Sequence, residues 1–141
     1  MVPGFHISTN IRDMDLDAVY SFISSSYWSE NIPRETFTRA LENSLCFAIL
    51  DKQNSQIGFA RAVTDRATFA YLADIYVLEA YRGRGLSKWL MEIIMAHPDL
   101  QGLRRISLAT RDAHGLYEQY GFTPLSRPEM LMELWNPKIY Q

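Results

Sequence analysis

The sequence predicts a mixed α/β (α+β) domain in which helices flank a largely antiparallel sheet. Three observations carry that prediction. Strand-like apolar runs lie one after another between Leu45 and Leu78, separated by short polar turns, as antiparallel hairpins require. Segments before and after these runs place apolar residues at helical spacing. The last of those helices lies between two strands, and strand–helix–strand implies a parallel pair with a right-handed crossover. With 141 residues, 48% of them hydrophobic, residues 1–141 are expected to form a single domain with a substantial core.

The elements follow in order. Phe5 to Ser8 reads as a first strand. Leu16, Val19, Ile23 and Tyr27 fall on one helical face, with Asp13 or Asp15 as the N-cap. Ser24 to Asn31 is a loop by composition. Pro33 suits the first turn of a second helix that carries Phe37, Ala40 and Leu41 inward and ends near Asn43 and Ser44. Leu45 to Leu50 is a strand, Asp51 to Ser55 a turn, and Gln56 to Val63 the returning strand. A second turn at Thr64 to Arg66 precedes the strand Tyr71 to Leu78. Leu86, Leu90, Ile93 and Ile94 line a third helix, stopped by His97 to Gly102. Arg105 to Thr110 is the next strand. Asp112 can cap a short helix bearing Ala113, Leu116, Tyr117 and Tyr120, and Gly121 ends it. Met130 to Trp135 is expected as a last strand.

Composition narrows the function. The net charge of −2 argues against a broad nucleic-acid-binding face. A lone cysteine, Cys46, excludes an intrachain disulfide. His6, His97 and His114 are scattered without ligand spacing, so no metal is expected. No apolar run reaches ~18 residues, so no membrane span is expected. The N-terminus lacks a basic-then-apolar leader pattern, and the cytoplasm is the expected location.

The most informative stretch is Tyr71 to Met91, YLADIYVLEAYRGRGLSKWLM. A strand meets a turn rich in Gly and Arg, which opens into a helix. Glycines permit φ > 0 and close backbone approach to an anion. The first N–H groups of a helix have no internal acceptor and carry the positive end of its dipole. Arg82, Arg84 and Lys88 add full charges. A P-loop fails, because Gly85 is followed by Leu-Ser-Lys. A dinucleotide fingerprint also fails, because Gly83-Arg84-Gly85-Leu86-Ser87-Lys88 lacks its third glycine. Arg82, Gly85 and Ser87 do fit R-x-x-G-x-[small]. That pattern resembles the pyrophosphate loop of the GNAT superfamily of acyl-CoA-dependent N-acyltransferases. The element order is similar to that family along almost the whole chain, with the specific motifs between about Tyr71 and Phe122.

The resemblance implies a division of labour. Arg82, Gly83, Arg84, Gly85, Leu86, Ser87 and Lys88 would hold the pyrophosphate of acetyl-CoA. The strand Ile75-Tyr76-Val77 would splay from its neighbour at a bulge and present backbone groups to the pantetheine arm. Ala113 to Phe122 resembles A-x-x-L-Y-x-x-x-G-F, which assigns Tyr117 as the acid that protonates the departing thiolate. A phenol suits that task, since its ordinary pKa near 10 lies above that of a thiol near 8.5. Thr110 stands where the family often has Asn. The usual position of the general base, a Glu four residues before Val77, is Ala73. Neighbouring Asp74 is ionisable in an otherwise apolar strand, where a buried carboxylate needs a partner. It is a candidate to relay the amine proton or bind the amine, and equally a candidate salt-bridge residue. His6, Glu30 and His114 are further candidates for the base. Tyr27, Trp28 and Glu30 lie in the connection that would line the acceptor pocket, where aromatics and a carboxylate suit an ammonium-bearing amine.

The expected activity is therefore acetyl transfer from acetyl-CoA to a primary amine of a small molecule, by direct attack in a ternary complex. A rival expectation is a non-catalytic acyl-CoA-binding regulatory module, favoured by Ala73. An RNA-binding reading of Arg82-Gly83-Arg84-Gly85 has only one copy in an acidic chain to support it. The resemblance also implies a C-terminal strand able to pair two copies as a homodimer.

Overall fold

The computed structural model describes residues Met1–Gln141, which divide into two units, Met1–Ala109 and Thr110–Gln141. The first holds a five-stranded sheet in the order β1-β2-β3-β4-β5. The strands are β1 (Phe5–Ser8), β2 (Leu45–Asp51), β3 (Gln56–Thr64), β4 (Phe69–Val77) and β5 (Arg105–Leu108). β1 to β4 run antiparallel to their neighbours, and β5 lies parallel to β4. The parallel pair follows from the intervening helix α3 (Leu86–Ala96), which carries the chain back over the sheet.

Helix α1 (Leu16–Ser24) starts where Asp15 accepts a hydrogen bond from the Ala18 N–H at 3.0 Å. It buries Val19 and Ile23, and ends before Tyr27, which lies in the following loop. Helix α2 (Arg34–Glu42) has Pro33 just outside its first turn and buries Phe37 and Leu41. Every residue of β2 from Leu45 to Leu50 is buried. A strand buried at consecutive positions is covered on both faces, so its sequence is a continuous apolar run rather than an alternation. The core gathers Phe37, Phe47, Phe59, Ile49, Leu90 and Ile94. α3 packs on β2 and β4, and α1 packs on β3.

The turn that opens β4 is locked by one side chain. Asp65 Oδ1 accepts from the backbone N–H groups of Ala67, Thr68 and Phe69, and Oδ2 accepts from the Thr68 hydroxyl. These bonds, that from the Thr68 hydroxyl first, hold the Asp65 carboxyl well below the usual carboxylate range.

The second unit contains helix α4 (His114–Glu118) and a 3₁₀ turn at Pro128–Met130. Gly121 adopts φ 91° just after α4, as the helix-ending glycine expected there. The cap differs from expectation: Ala113, not Asp112, is the N-cap of α4 and makes no side-chain cap bond, while Thr110 Oγ1 accepts from the Ala113 N–H at 3.0 Å. The expected strand at Met130 to Trp135 does not form. Met130, Leu131, Met132, Leu134 and Trp135 are all exposed, and the segment joins no ladder. Local composition favours an extended backbone, but only a hydrogen-bonding neighbour makes it a strand.

Candidate active site

β4 changes character at its middle. Phe69 to Leu72 pair with Arg105 to Leu108 of β5 on one side, and Ala70 to Leu72 pair with β3 on the other. β5 ends at Leu108, while β4 runs on to Val77. Ala73 to Val77 therefore keep β3 as a neighbour and leave β5 behind.

A bulge sits at the same place. Phe59 faces Tyr76 and Arg61 faces Ala73, so Asp74 and Ile75 together oppose the single residue Ala60. Asp74 takes φ 55°, the left-handed conformation that a glycine usually supplies in such a bulge. Aspartate is among the residues that tolerate it, at a cost of roughly 1–2 kcal/mol. On β3, Gly58 makes room for the approach of β4. A Cβ there would lie 2.8 Å from the Tyr76 carbonyl oxygen and 2.9 Å from Ile49 Cδ1.

β4 then feeds the glycine turn. Arg82 Nε donates to the Val77 carbonyl at 3.2 Å, which ties the turn to the end of the strand. Gly83 and Gly85 both have φ 80°. A Cβ on either would meet nothing within 4 Å, so what these positions require is the left-handed backbone rather than space. Gly85 is the N-cap of α3 and has no side-chain cap, so the helix opens with its N–H groups available. Arg84 lies over the Tyr81 ring at 5.2 Å, and the Arg82 and Arg84 residues are exposed. The turn is a concentration of positive charge and backbone donors, which fits a pyrophosphate.

The acceptor candidates Tyr27, Trp28 and Glu30 lie together in the loop between α1 and α2, all exposed. Trp28 contacts Tyr27 edge-on at 5.1 Å and Phe22 at 6.5 Å. Phe22 stacks on Tyr76 at 3.8 Å and 9°. The loop thus meets the bulged half of β4 through an aromatic group. Burial, and to a lesser degree the Asp15 carboxylate, pushes the Tyr76 phenol far above its usual range, so it is a poor proton donor.

Asp74 is held by two donors. Trp28 Nε1 donates to Oδ1 at 2.7 Å, and Arg61 Nε donates to Oδ2 at 2.6 Å. Of the roles open to Asp74, the salt bridge is present, with the Arg61 and Asp74 side chains 19% and 6% exposed. Arg61 was not singled out from sequence, although it is the lone cation of an apolar strand facing the lone anion of the next. Cys46, across from Arg61 on β2, is buried, and burial raises its thiol to about 11, with Arg61 opposing. It is a poor nucleophile near neutral pH.

In the second unit, Tyr117 lies on α4, is buried, and packs edge-on against Phe122 at 6.0 Å. His114 and Glu118 of the same helix are exposed, as is His6 on β1. No group of three or more His, Cys, Asp or Glu is gathered as for a metal ion, and no helix is long and apolar enough to cross a membrane.

Known proteins resemble this chain in sequence and fold. The acetyltransferase (GNAT) family model matches residues 14–122. A protein of Gibberella zeae named as a putative acetyltransferase is 31% identical over 133 residues, covering 79% of this chain and 74% of its own. A crystal structure from Xanthomonas campestris, described as a putative acetyltransferase of the GNAT family, superposes with a TM-score of 0.94. It is 49% identical and covers 99% of both chains. An acetyltransferase structure from Clostridium acetobutylicum, described as holding acetyl-CoA, shares the fold. Its TM-score is 0.66 at 15% identity, covering 92% of this chain and 94% of that one.

Proposed function

The chain belongs to the GNAT family of acetyltransferases, and on that premise we propose that it acetylates a primary amine of a small molecule by direct attack on acetyl-CoA in a ternary complex. The observation that carries this reading is the second half of β4. It leaves β5, keeps one edge unpaired from Ala73 onward, and runs into a double-glycine turn at the N-terminus of α3. An extended amide-bearing chain that ends in a pyrophosphate is complementary to that sequence of features. Backbone groups of Ile75, Tyr76 and Val77 serve the pantetheine amides. Arg82, Gly83, Arg84, Gly85, Leu86, Ser87 and Lys88 serve the pyrophosphate. The family match crosses the boundary between the two units, which supports reading residues 1–141 as a single domain.

Acetyl-CoA, when bound, supplies an activated acetyl thioester. The neutral amine forms its bond to the carbonyl carbon, the C–S bond breaks, and the amine proton passes to water. In the family pattern that Ala113 to Phe122 resembles, Tyr117 would give its hydroxyl proton to the leaving sulfur and would regain one from water. The buried Cys46, with its raised thiol pKa, supports direct attack over an acyl-cysteine. Tyr27, Trp28 and Glu30 line the acceptor side. Asp74 was a candidate relay for the amine proton; the donors on both its oxygens favour a holding role instead.

Acetyl-CoA at 100-fold excess over Kd should stabilise the protein against heat by about 2.7 kcal/mol, and NAD and ATP by much less. Equal shifts from all three would overturn the ligand assignment. Binding without turnover across an amine panel would favour the non-catalytic module. Tyr117→Phe should keep the acetyl-CoA shift but lower kcat by ~10²–10⁴-fold, the scale of a positioned general acid. KM should change less, because the proton is needed only as the C–S bond breaks. Full kcat in that variant would remove Tyr117 as the acid.

A further inference from the structure

We propose that Trp28, Asp74 and Arg61 form a latch that fixes the α1–α2 loop on the bulge of β4, making them positioning residues for the acceptor amine. The inference rests on the acetyltransferase reading for its kinetic consequence, but not for the latch itself.

The loop is closed locally. The Asn31 N–H donates to the Ser24 carbonyl at 2.9 Å, and the Ile32 N–H to the Ser29 carbonyl at 3.1 Å. The Ser29 N–H donates to Ser26 Oγ at 3.2 Å, and Ser26 Oγ donates to the Ile23 carbonyl at 2.6 Å. These bonds shape the loop but do not say where it rests on the sheet. Trp28 Nε1 supplies that information by reaching Asp74, 46 residues away.

Beyond Asp74 the chain of contacts continues. Arg61 Nε holds the other carboxylate oxygen, Arg61 Nη1 donates to Ser44 Oγ at 3.2 Å, and Ser44 Oγ donates to the Ala40 carbonyl at 2.7 Å. One polar path thus runs from the loop before α2, across β4 and β3, to the last turn of α2. The loop before that helix and the helix's last turn are referred to the same carboxylate. Arg61 orients the carboxylate and compensates its burial, and an unpaired charge in that position would be costly. The bulge aims Asp74 at Trp28, and the left-handed backbone at a non-glycine residue is a strain retained at the one place where the sheet opens. The aromatic group of Phe22, Tyr27, Trp28 and Tyr76 then stands in a set relation to the free edge of β4.

The latch and a proton relay through Asp74 make opposite demands on substitutions. Asp74→Gly suits the bulge backbone but cuts both bonds. Asp74→Asn keeps an oxygen for the Trp28 indole and loses the charge. Trp28→Phe removes only the donor. For the latch, Asp74→Gly and Trp28→Phe should each raise acceptor KM by about 10–100-fold, the range of a hydrogen bond to a charged group. KM for acetyl-CoA should hold, the double variant should be no worse than the worse single variant, and Asp74→Asn should restore much of the loss. Independent, multiplying losses would overturn the latch. So would a fall in kcat shared by Asp74→Asn and Asp74→Gly but absent from Trp28→Phe, which would mark a relay.

A second measurement needs no turnover. In the intact 141-residue chain, hydrogen exchange at the Trp28 indole N–H, followed by NMR, should quicken about 10-fold or more in Asp74→Gly. Trp89 and Trp135 act as internal controls. Unchanged exchange would refute the latch whatever the enzyme acetylates. Quickened exchange in a protein inactive toward every amine would leave the latch standing and count against the acetyltransferase reading alone.

Discussion

The two halves of β4 share a strand but not a physical situation. From Ala70 to Leu72 the backbone is paired on both sides, and Ala70 and Leu72 are buried while Phe69 and Tyr71 are exposed. From Ala73 to Val77 the partner on one side is gone, a bulge interrupts the ladder on the other, and a non-glycine residue sits at positive φ. The first half is stabilised by the same contacts that make it regular. The second gives up ladder bonds and accepts strain, and in return exposes backbone groups and aims a carboxylate at a loop from elsewhere in the chain. Within β4, regularity marks scaffold, and its interruption marks the candidate site.

Substitutions in the two halves should therefore fail in different ways. Leu72→Ala, in the paired half, should cost ~2–5 kcal/mol of stability as a large-to-small change at a buried site. Urea denaturation should show that loss, while the acetyl-CoA thermal shift persists in the protein that remains folded. A selective loss of the shift would erase the distinction between the halves.

Gly58→Ala probes the opened half at its far end, opposite Val77. Its Cβ would press on the Tyr76 carbonyl oxygen and on Ile49, and the backbone oxygen cannot move cheaply. The expected cost is ~1–3 kcal/mol, the scale of overpacking. Because the displaced group belongs to the opened half of β4, the acetyl-CoA shift should shrink as well. Normal stability with a normal shift would show that the approach of β3 to β4 is not constrained there.

The smallest expected effects are in pH dependence, and the two halves titrate at opposite ends. Beside the opened half, Cys46 is raised from its ordinary 9.0 to about 11 by burial, so the folded state holds the proton more tightly than the unfolded one. Its contribution is complete below pH 9 and is lost as pH rises toward 11, with the raised Tyr76 phenol adding to the loss at higher pH. At the start of the paired half, Asp65 is lowered by its hydrogen bonds. Its contribution is present above the ordinary carboxylate range and fades as pH falls through and below it. Thermal midpoints across pH should fall at both ends. In Asp65→Ala the acid limb should flatten while the alkaline limb is unchanged.

Much of this molecule is written locally in its sequence. Residues Asp15, Gly85 and Gly121 mark helix ends because caps and left-handed turns depend on single residue types. The runs Leu45–Leu50 and Gln56–Val63 mark strands because burial on a pleated surface selects their composition. The turn at Gly83 and Gly85 was legible because a left-handed backbone selects glycine.

The tertiary structure alone decided what Asp74 touches, that Arg61 and Ser44 belong with it, and that Met130 to Trp135 joins no ladder. Those facts depend on register, bulges and neighbours 13 and 46 residues apart in sequence. A residue's own chemistry says which partners it would accept, but only the folded sheet says which of them arrives.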